Sequence, residues 1–164
     1  MTLIVAPDPN AEAYASVAES DLYHARRGNA AWASVATSDK EAALRRATDY
    51  MVARYSGRWR GEVVDSEQVL DWPRYGVWSS AFLLDSATVP AGVRHACAEL
   101  ALRSATGTAL YTDVGPQEVT SERVGPIAVT YANRQGGQTR FPLVDEMLSK
   151  YLIGSTNQVR LIRG

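Results

Sequence analysis

The chain has 164 residues, 46% of them apolar, and carries 17 Lys and Arg against 18 Asp and Glu for a formal net charge of −1. That is enough apolar material for one domain with a real core, and too much for wholesale disorder. Near-neutrality excludes the strongly basic class whose main work is gripping phosphates, leaving room only for a local basic patch.

The first residues, MTLIVAPDPN, read as an extended arm over 1–15, because its prolines forbid an early helix. SVAE is a capping box, with Ser16 as cap and Glu19 three residues on, and predicts a helix to about Arg27 stopped by Gly28. A tight connection, GNAAWASVAT, carries Trp32. SDKE repeats the cap pattern at Ser38 and Glu41 and predicts a second helix to about Tyr55. There Leu44, Ala47, Thr48, Met51 and Tyr55 form one apolar stripe, with Arg45, Arg46 and Asp49 off it. Residues 56–89 are irregular, with SEQVLDW as a short helical turn ended by Pro73. Pro90 then opens a third helix whose inner face is Val93, Ala96, Cys97, Leu100, Ala101 and Ser104, ended by Gly107. Beyond it the period changes to two. Val119–Val124 and Ile127–Ala132 alternate around Gly125–Pro126 as a hairpin. FPLVDEMLSKYL restarts a helix with Val144, Met147, Leu148 and Tyr151 on one side, and GSTNQVRLIRG closes the chain as a polar hinge and a strand-like tail.

The expected fold is therefore mainly α, a small helical bundle with a β-hairpin insertion before the last helix and an extended C-terminal tail. No repeat or linker divides it, so residues 1–164 read as one domain, with 154–164 set apart as the tail. The N-terminus shows neither a basic leader nor a long apolar core, and no apolar run approaches the roughly 20 residues of a membrane span. A soluble cytoplasmic protein is expected, and membrane is not expected among its partners.

No motif commits the chain to catalysis, and no catalytic residue, metal ligand set or cofactor is expected. Cys97 is the single cysteine, which excludes an intrachain disulfide and a cysteine-cluster zinc site. Its apolar surroundings at helical spacing make it a buried small hydrophobe, and His95 falls on a different helix face. His24 and His95 have no second ligand at helical spacing. GRWRG lacks the lysine and hydroxyl ending of a phosphate loop. The carboxylates are scattered, with Asp145 and Glu146 suited to the first turn of a helix.

What stands out is LDWPRYGVW, from Leu70 to Trp78, together with Arg54, Arg58, Trp59 and Arg60 just before it. Arg58, Trp59, Arg60, Trp72 and Arg74 interleave rings and guanidinium groups as a single-strand stacking surface does. The same residues would also anchor a loop folded on the bundle, with arginine stacked on tryptophan and paired to Glu62, Asp65 or Asp71. Loop anchoring is the preferred of the two. Val159–Ile162 alternates weakly between Arg160 and Arg163, too short to fold alone, and suits addition to a partner's sheet edge.

The ordered blocks YASVAESDLYHARRGNAAW, KEAALRRATDYM, LDWPRYGV, VPAGVRHACAELAL, SERVGPIAVTYA and VRLIRG resemble a family of tailed-phage and prophage genomes labelled DnaT-like single-stranded DNA-binding protein. The resemblance covers Tyr14 to Gly164. Its helical core, hairpin and tail are also similar to those of phage head–tail connector (adaptor) proteins. It implies two readings. In the first, favoured by the neutral charge and the tail, the chain is a virion building block. It forms a dodecameric ring below the portal, with the portal protein, a stopper or tail-completion protein and packaged DNA in the lumen as partners. Val159, Arg160, Leu161, Ile162 and Arg163 would dock on the portal or a neighbouring subunit, and the place of action would be the virion neck after assembly in the host cytoplasm. In the second, the chain binds single-stranded DNA through Arg58, Arg60 and Arg74. One departure from the family pattern is the apolar run Ala81–Leu84, where a polar loop is expected.

Overall fold

The computed structural model describes residues 2–79, 81–111, 121–124, 127–130 and 139–154. Its helices are α1 (Val17–Ala25), α2 (Ala30–Ala33), α3 (Thr37–Tyr55), α4 (Ala91–Ala105) and α5 (Pro142–Leu148), the last running into a 3-10 turn at Ser149–Tyr151. Three antiparallel two-stranded pairs join β1 (Glu62–Val63) to β2 (Arg74–Tyr75), β3 (Trp78–Ser79) to β4 (Phe82–Leu83), and β5 (Ser121–Val124) to β6 (Ile127–Thr130). The fold is mainly helical, with the expected hairpin, β5–β6, before the last helix.

α3 and α4 form the centre. Leu44, Ala47, Thr48, Met51 and Tyr55 on α3, and Val93, Ala96, Cys97, Leu100 and Ala101 on α4, are all buried. Thr48 Oγ1 lies 3.5 Å from Cys97 Sγ, and Arg46 Nε donates to Ser104 Oγ at 2.7 Å. An earlier α3 residue thus meets a later α4 residue, so the two helices run in opposite directions. α3 spans about 28 Å at 1.5 Å per residue, long enough to separate the α1–α2 end of the molecule from the loop that follows Tyr55.

α1 starts where its capping box predicts. Glu19 N donates to Ser16 Oγ at 3.2 Å and Ser16 N donates to Glu19 Oε2 at 3.0 Å. Gly28, at φ +67°, turns the chain where a side chain would be strained. The Trp32 connection contains the short helix α2, which buries the indole. The predicted cap of α3 at Ser38 is displaced. Ala36 is the cap residue and offers no side-chain acceptor. A tertiary clamp holds this end instead, since Trp32 Nε1 and Lys40 Nζ both donate to Asp21 Oδ1, at 2.7 and 2.9 Å.

Residues 2–15 form no helix. Val5 bridges to Ala13, and the chain then places Tyr14 in the core with its backbone N–H donating to Thr48 Oγ1. SEQVLDW also forms no helical turn. The Gln68 amide explains why: its Oε1 accepts from Val64 N and Asp65 N, and its Nε2 donates to Leu70 O and Pro73 O. One side chain thereby satisfies four backbone groups and holds the segment as a loop.

His24 is buried. Nε2 donates to Ala98 O at 3.1 Å, and Nδ1 accepts from Asn29 Nδ2 at 2.9 Å, an arrangement that suits the neutral ring. Burial holds its pKa below the ordinary 6.5. His95, packed against the Tyr23 ring, is lowered too, by burial and then by Arg27 and Arg94. Below the ordinary value the unfolded chain therefore binds more protons than the folded one, and stability falls with pH. Denaturant midpoints should decline from pH 6.5 to about 5.5, above most carboxylate titration. A His24→Gln/His95→Gln variant should show a flatter profile over that window, measured by urea titration at several pH values.

Candidate functional site

The loop after α3 is built on rings. Tyr55, Trp59, Trp72 and Tyr151 follow one another with centroid separations of 5.7, 5.6 and 5.8 Å, the last two contacts edge-on. Such edge-to-face pairs add about 0.5–1.5 kcal/mol each beyond the area they bury. Trp59 is 2% exposed and Trp72 1%. Trp59 Nε1 donates to Asp71 Oδ2 at 3.1 Å, while Asp71 Oδ1 accepts from Ser56 Oγ. The Trp72–Pro73 peptide is cis. Tyr151 reaches the ladder because Gly92 lies beneath it. A Cβ there would come within 2.7 Å of the phenol ring.

The backbone around Trp59 also ties down the end of the described chain. Arg60 N donates to Tyr151 O at 2.9 Å, Ile153 N donates to Arg58 O at 2.7 Å, and Trp59 bridges Leu152 in antiparallel register. Gly61 allows β1 to pass β2 closely, since a Cβ on it would meet Tyr75 O at 2.2 Å.

The arginines are used locally. The Arg74 guanidinium donates to the carbonyls of Arg60, Gly61 and Asp71, at 2.9, 2.6 and 3.1 Å. Its fork therefore meets backbone rather than the carboxylates of Glu62, Asp65 or Asp71 named from the sequence. Arg60 is exposed, with Nε donating to Leu152 O at 3.0 Å. Arg58 is half-buried, its guanidinium carbon 6.0 Å from the Tyr55 ring centroid. The structure thus brings Arg58, Trp59, Arg60, Trp72 and Arg74 together, but with both indoles buried. Val159, Arg160, Leu161, Ile162 and Arg163 lie outside the described residues.

A different set of side chains faces outward. Tyr75, Trp78, Phe82 and Leu83 are each more than half exposed, and Val63, Val64 and Val69 are exposed beside them in sequence. Trp78 pairs with Leu83 across β3–β4. This segment carries the acids Glu62, Asp65, Glu67, Asp71 and Asp85 against one cation, Arg74. Within the apolar run Ala81–Leu84, Phe82 and Leu83 form the exposed strand β4, while Leu84 is partly buried against the core. Among the described residues no group of three or more His, Cys, Asp or Glu could hold a metal ion, and no helix is long and apolar enough to cross a membrane. Cys97 is fully buried, its thiol pushed up to about 11 by burial.

Compared with known families, the full length, residues 1–164, matches the model described as "Putative DnaT-like ssDNA binding protein". The chain belongs to this DnaT-like family. No curated protein and no solved structure matches it.

In this DnaT-like chain, the rings singled out beside arginines are buried, and the exposed rings follow them in the same loop. Trp59 and Trp72 stand out beside arginines, yet they are interior. Trp78, Phe82 and Leu83 carry the outward face, and the available signal was that Ala81–Leu84 is apolar where polarity is expected. The burial difference has a direct measure. Trp72→Ala should cost about 3–5 kcal/mol, as emptying a large buried aromatic site does. Trp78→Ala should fall within about 0.5 kcal/mol of the parent, as exposed substitutions do. Urea unfolding of the two variants side by side checks this, and equal costs would contradict the placement of the rings.

Proposed function

We propose that this chain is a non-catalytic assembly protein of a tailed-phage or prophage particle. In this reading it is a head–tail connector subunit that forms a ring below the portal and joins it to a stopper or tail-completion protein. The observation that carries the proposal is the outward face of Tyr75, Trp78, Phe82 and Leu83 in a segment rich in carboxylates. Exposed aromatic and aliphatic side chains suit contact with protein. Acidic neighbours disfavour a phosphate backbone, whose binding is dominated by cations. Arg74, the segment's one cation, is occupied by three carbonyls. A cyclic assembly would use this face as one half of a heterologous interface, in which unlike patches of adjacent copies meet. The tail residues Val159–Arg163 would make the portal contact by strand addition.

Binding of single-stranded DNA is the second reading, and the family description supports it more directly than it supports the connector. Of the named arginines, Arg60 is exposed and Arg58 half-buried, and Arg74 is engaged by three carbonyls.

Two measurements separate the readings. For a connector, native mass spectrometry or electron microscopy should find a cyclic oligomer, with the protein present at the neck of purified particles. Binding to an oligonucleotide should be weak at physiological salt. For a DNA-binding protein, affinity should be substantial there and fall steeply as salt rises, Arg58→Ala/Arg60→Ala should weaken it, and the protein should be absent from particles. That second pattern would overturn the connector proposal.

A further inference from the structure

The two ends of α3 carry surfaces of opposite makeup. Beyond its C-terminus lies the outward face. Glu62 stands directly opposite the exposed Tyr75 in β1–β2, and Trp78 opposite Leu83 in β3–β4, so each pair shares one side of its ribbon. Glu62, Asp65, Glu67 and Asp85 are exposed, and none is ion-paired among the described residues. At the N-terminus of α3, the Asp21–Lys40 contact holds the end of α1. There Leu22 is 53% exposed, and Ala25 and Arg26, three and four residues on, lie exposed on the same helix face. The carboxylates that α1 carries are occupied, Glu19 by Arg94 and Asp21 by Lys40. Glu99 opposite them is occupied by Arg103 and Tyr23. Arg26 and Arg27 are exposed and pair with no carboxylate among the described residues. The Arg27 guanidinium lies 3.5 Å from the Tyr23 ring centroid and donates to the Tyr23 carbonyl, contacts that position it without cancelling its charge.

We infer that the acidic hairpin face of one copy docks on the Leu22–Arg27 end of a second copy of this chain. Three considerations carry this. The chemistry is complementary, rings against Leu22 and carboxylates against Arg26 and Arg27. The geometry is head-to-tail, because Lys40 and Tyr55 stand about 22 Å apart along α3 at 1.5 Å per residue, too far for one copy to close the contact on itself. The alternative of a twofold pair, hairpin on hairpin, sets carboxylates against carboxylates, and like charges brought together in an interface are costly. A head-to-tail contact leaves each copy with one free hairpin and one free arginine end, so it propagates, and it closes into a ring when the rotation per copy allows. The inference rests on reading the chain as a cyclic assembly and names the second half of its interface.

Cross-linking between two single-site variants of the full chain tests it. Leu22→Cys and Phe82→Cys change exposed side chains, and the natural Cys97 is buried. With a short bismaleimide, an equimolar mixture of the two should give a covalent dimer, and each variant alone should give several-fold less. Adding Arg26→Glu to the Leu22→Cys chain should weaken the cross-link several-fold at an unchanged melting temperature, and so should raised salt. Combining Glu62→Lys on the Phe82→Cys chain with that Arg26→Glu partner should restore it. A mixture that forms no dimer would overturn the inference. Phe82→Cys that cross-links as well alone would overturn it too, by assigning the hairpin to a twofold contact. So would Arg26→Glu that leaves the cross-link intact while abolishing oligonucleotide binding, which would give these arginines to nucleic acid. A ring built on other faces would still be found at the neck of particles, so the inference can fail while the connector reading stands.

Discussion

The pairing of residues 58–60 with 151–153 is the constraint on which the non-helical part of the molecule depends. Two backbone hydrogen bonds and the Trp59–Leu152 bridge join a loop that leaves α3 to a turn that leaves α5. The indole between them is held twice, by the Asp71 carboxylate on its N–H and by the rings of Tyr55 and Trp72 packed against it. From that point the loop is set in both directions. Asp71 places Trp72 and offers its carbonyl to Arg74, and Arg74 gathers the carbonyls of Arg60 and Gly61 so that β1 and β2 can pair. Remove the joint and the helices keep their stripes, but nothing presents the β3–β4 hairpin.

This division explains how much was legible from sequence. α1, α3 and α4 could be read because burial of one face imposes a period of 3.6 on composition, and Leu44, Met51, Val93 and Leu100 keep it. The Ser16 cap is equally local. Trp59, Trp72 and Trp78 lie within 20 residues of one another and look alike in sequence. Which are buried depends on Tyr151 and Leu152, about 80 residues away, and no local pattern carries that information. The four two-residue strands are below the length at which alternation can be recognised. The start of α3 was misplaced for a related reason. Ser38 and Glu41 have the spacing of a cap, but the clamp of Trp32 and Lys40 on Asp21 sets the first turn.

Charge and apolarity are sorted along this chain more than the near-neutral total reveals. Acids concentrate in the segment that exposes its rings, and the arginines around it serve as internal hydrogen-bond donors. Arginine is suited to that use because its planar fork can satisfy several carbonyls at once while its charge stays partly hydrated. Composition of the loop alone fits a loop anchor or a nucleic-acid surface, with anchoring preferred. The geometry assigns the same residues to architecture and leaves an acidic, aromatic surface outside.

Cys97 has a consequence of its own. It is the chain's sole thiol, fully buried on the seam between α3 and α4, beside Thr48 Oγ1 and the Leu44 carbonyl. Burial keeps it protonated and out of reach, so a thiol reagent meets it only when the two central helices part. The rate of its alkylation is thus an internal clock for opening of the core. It needs no added label, and fraying of the loop does not set it ticking. In a ring, that clock would slow in proportion to how far neighbouring subunits hold each bundle shut.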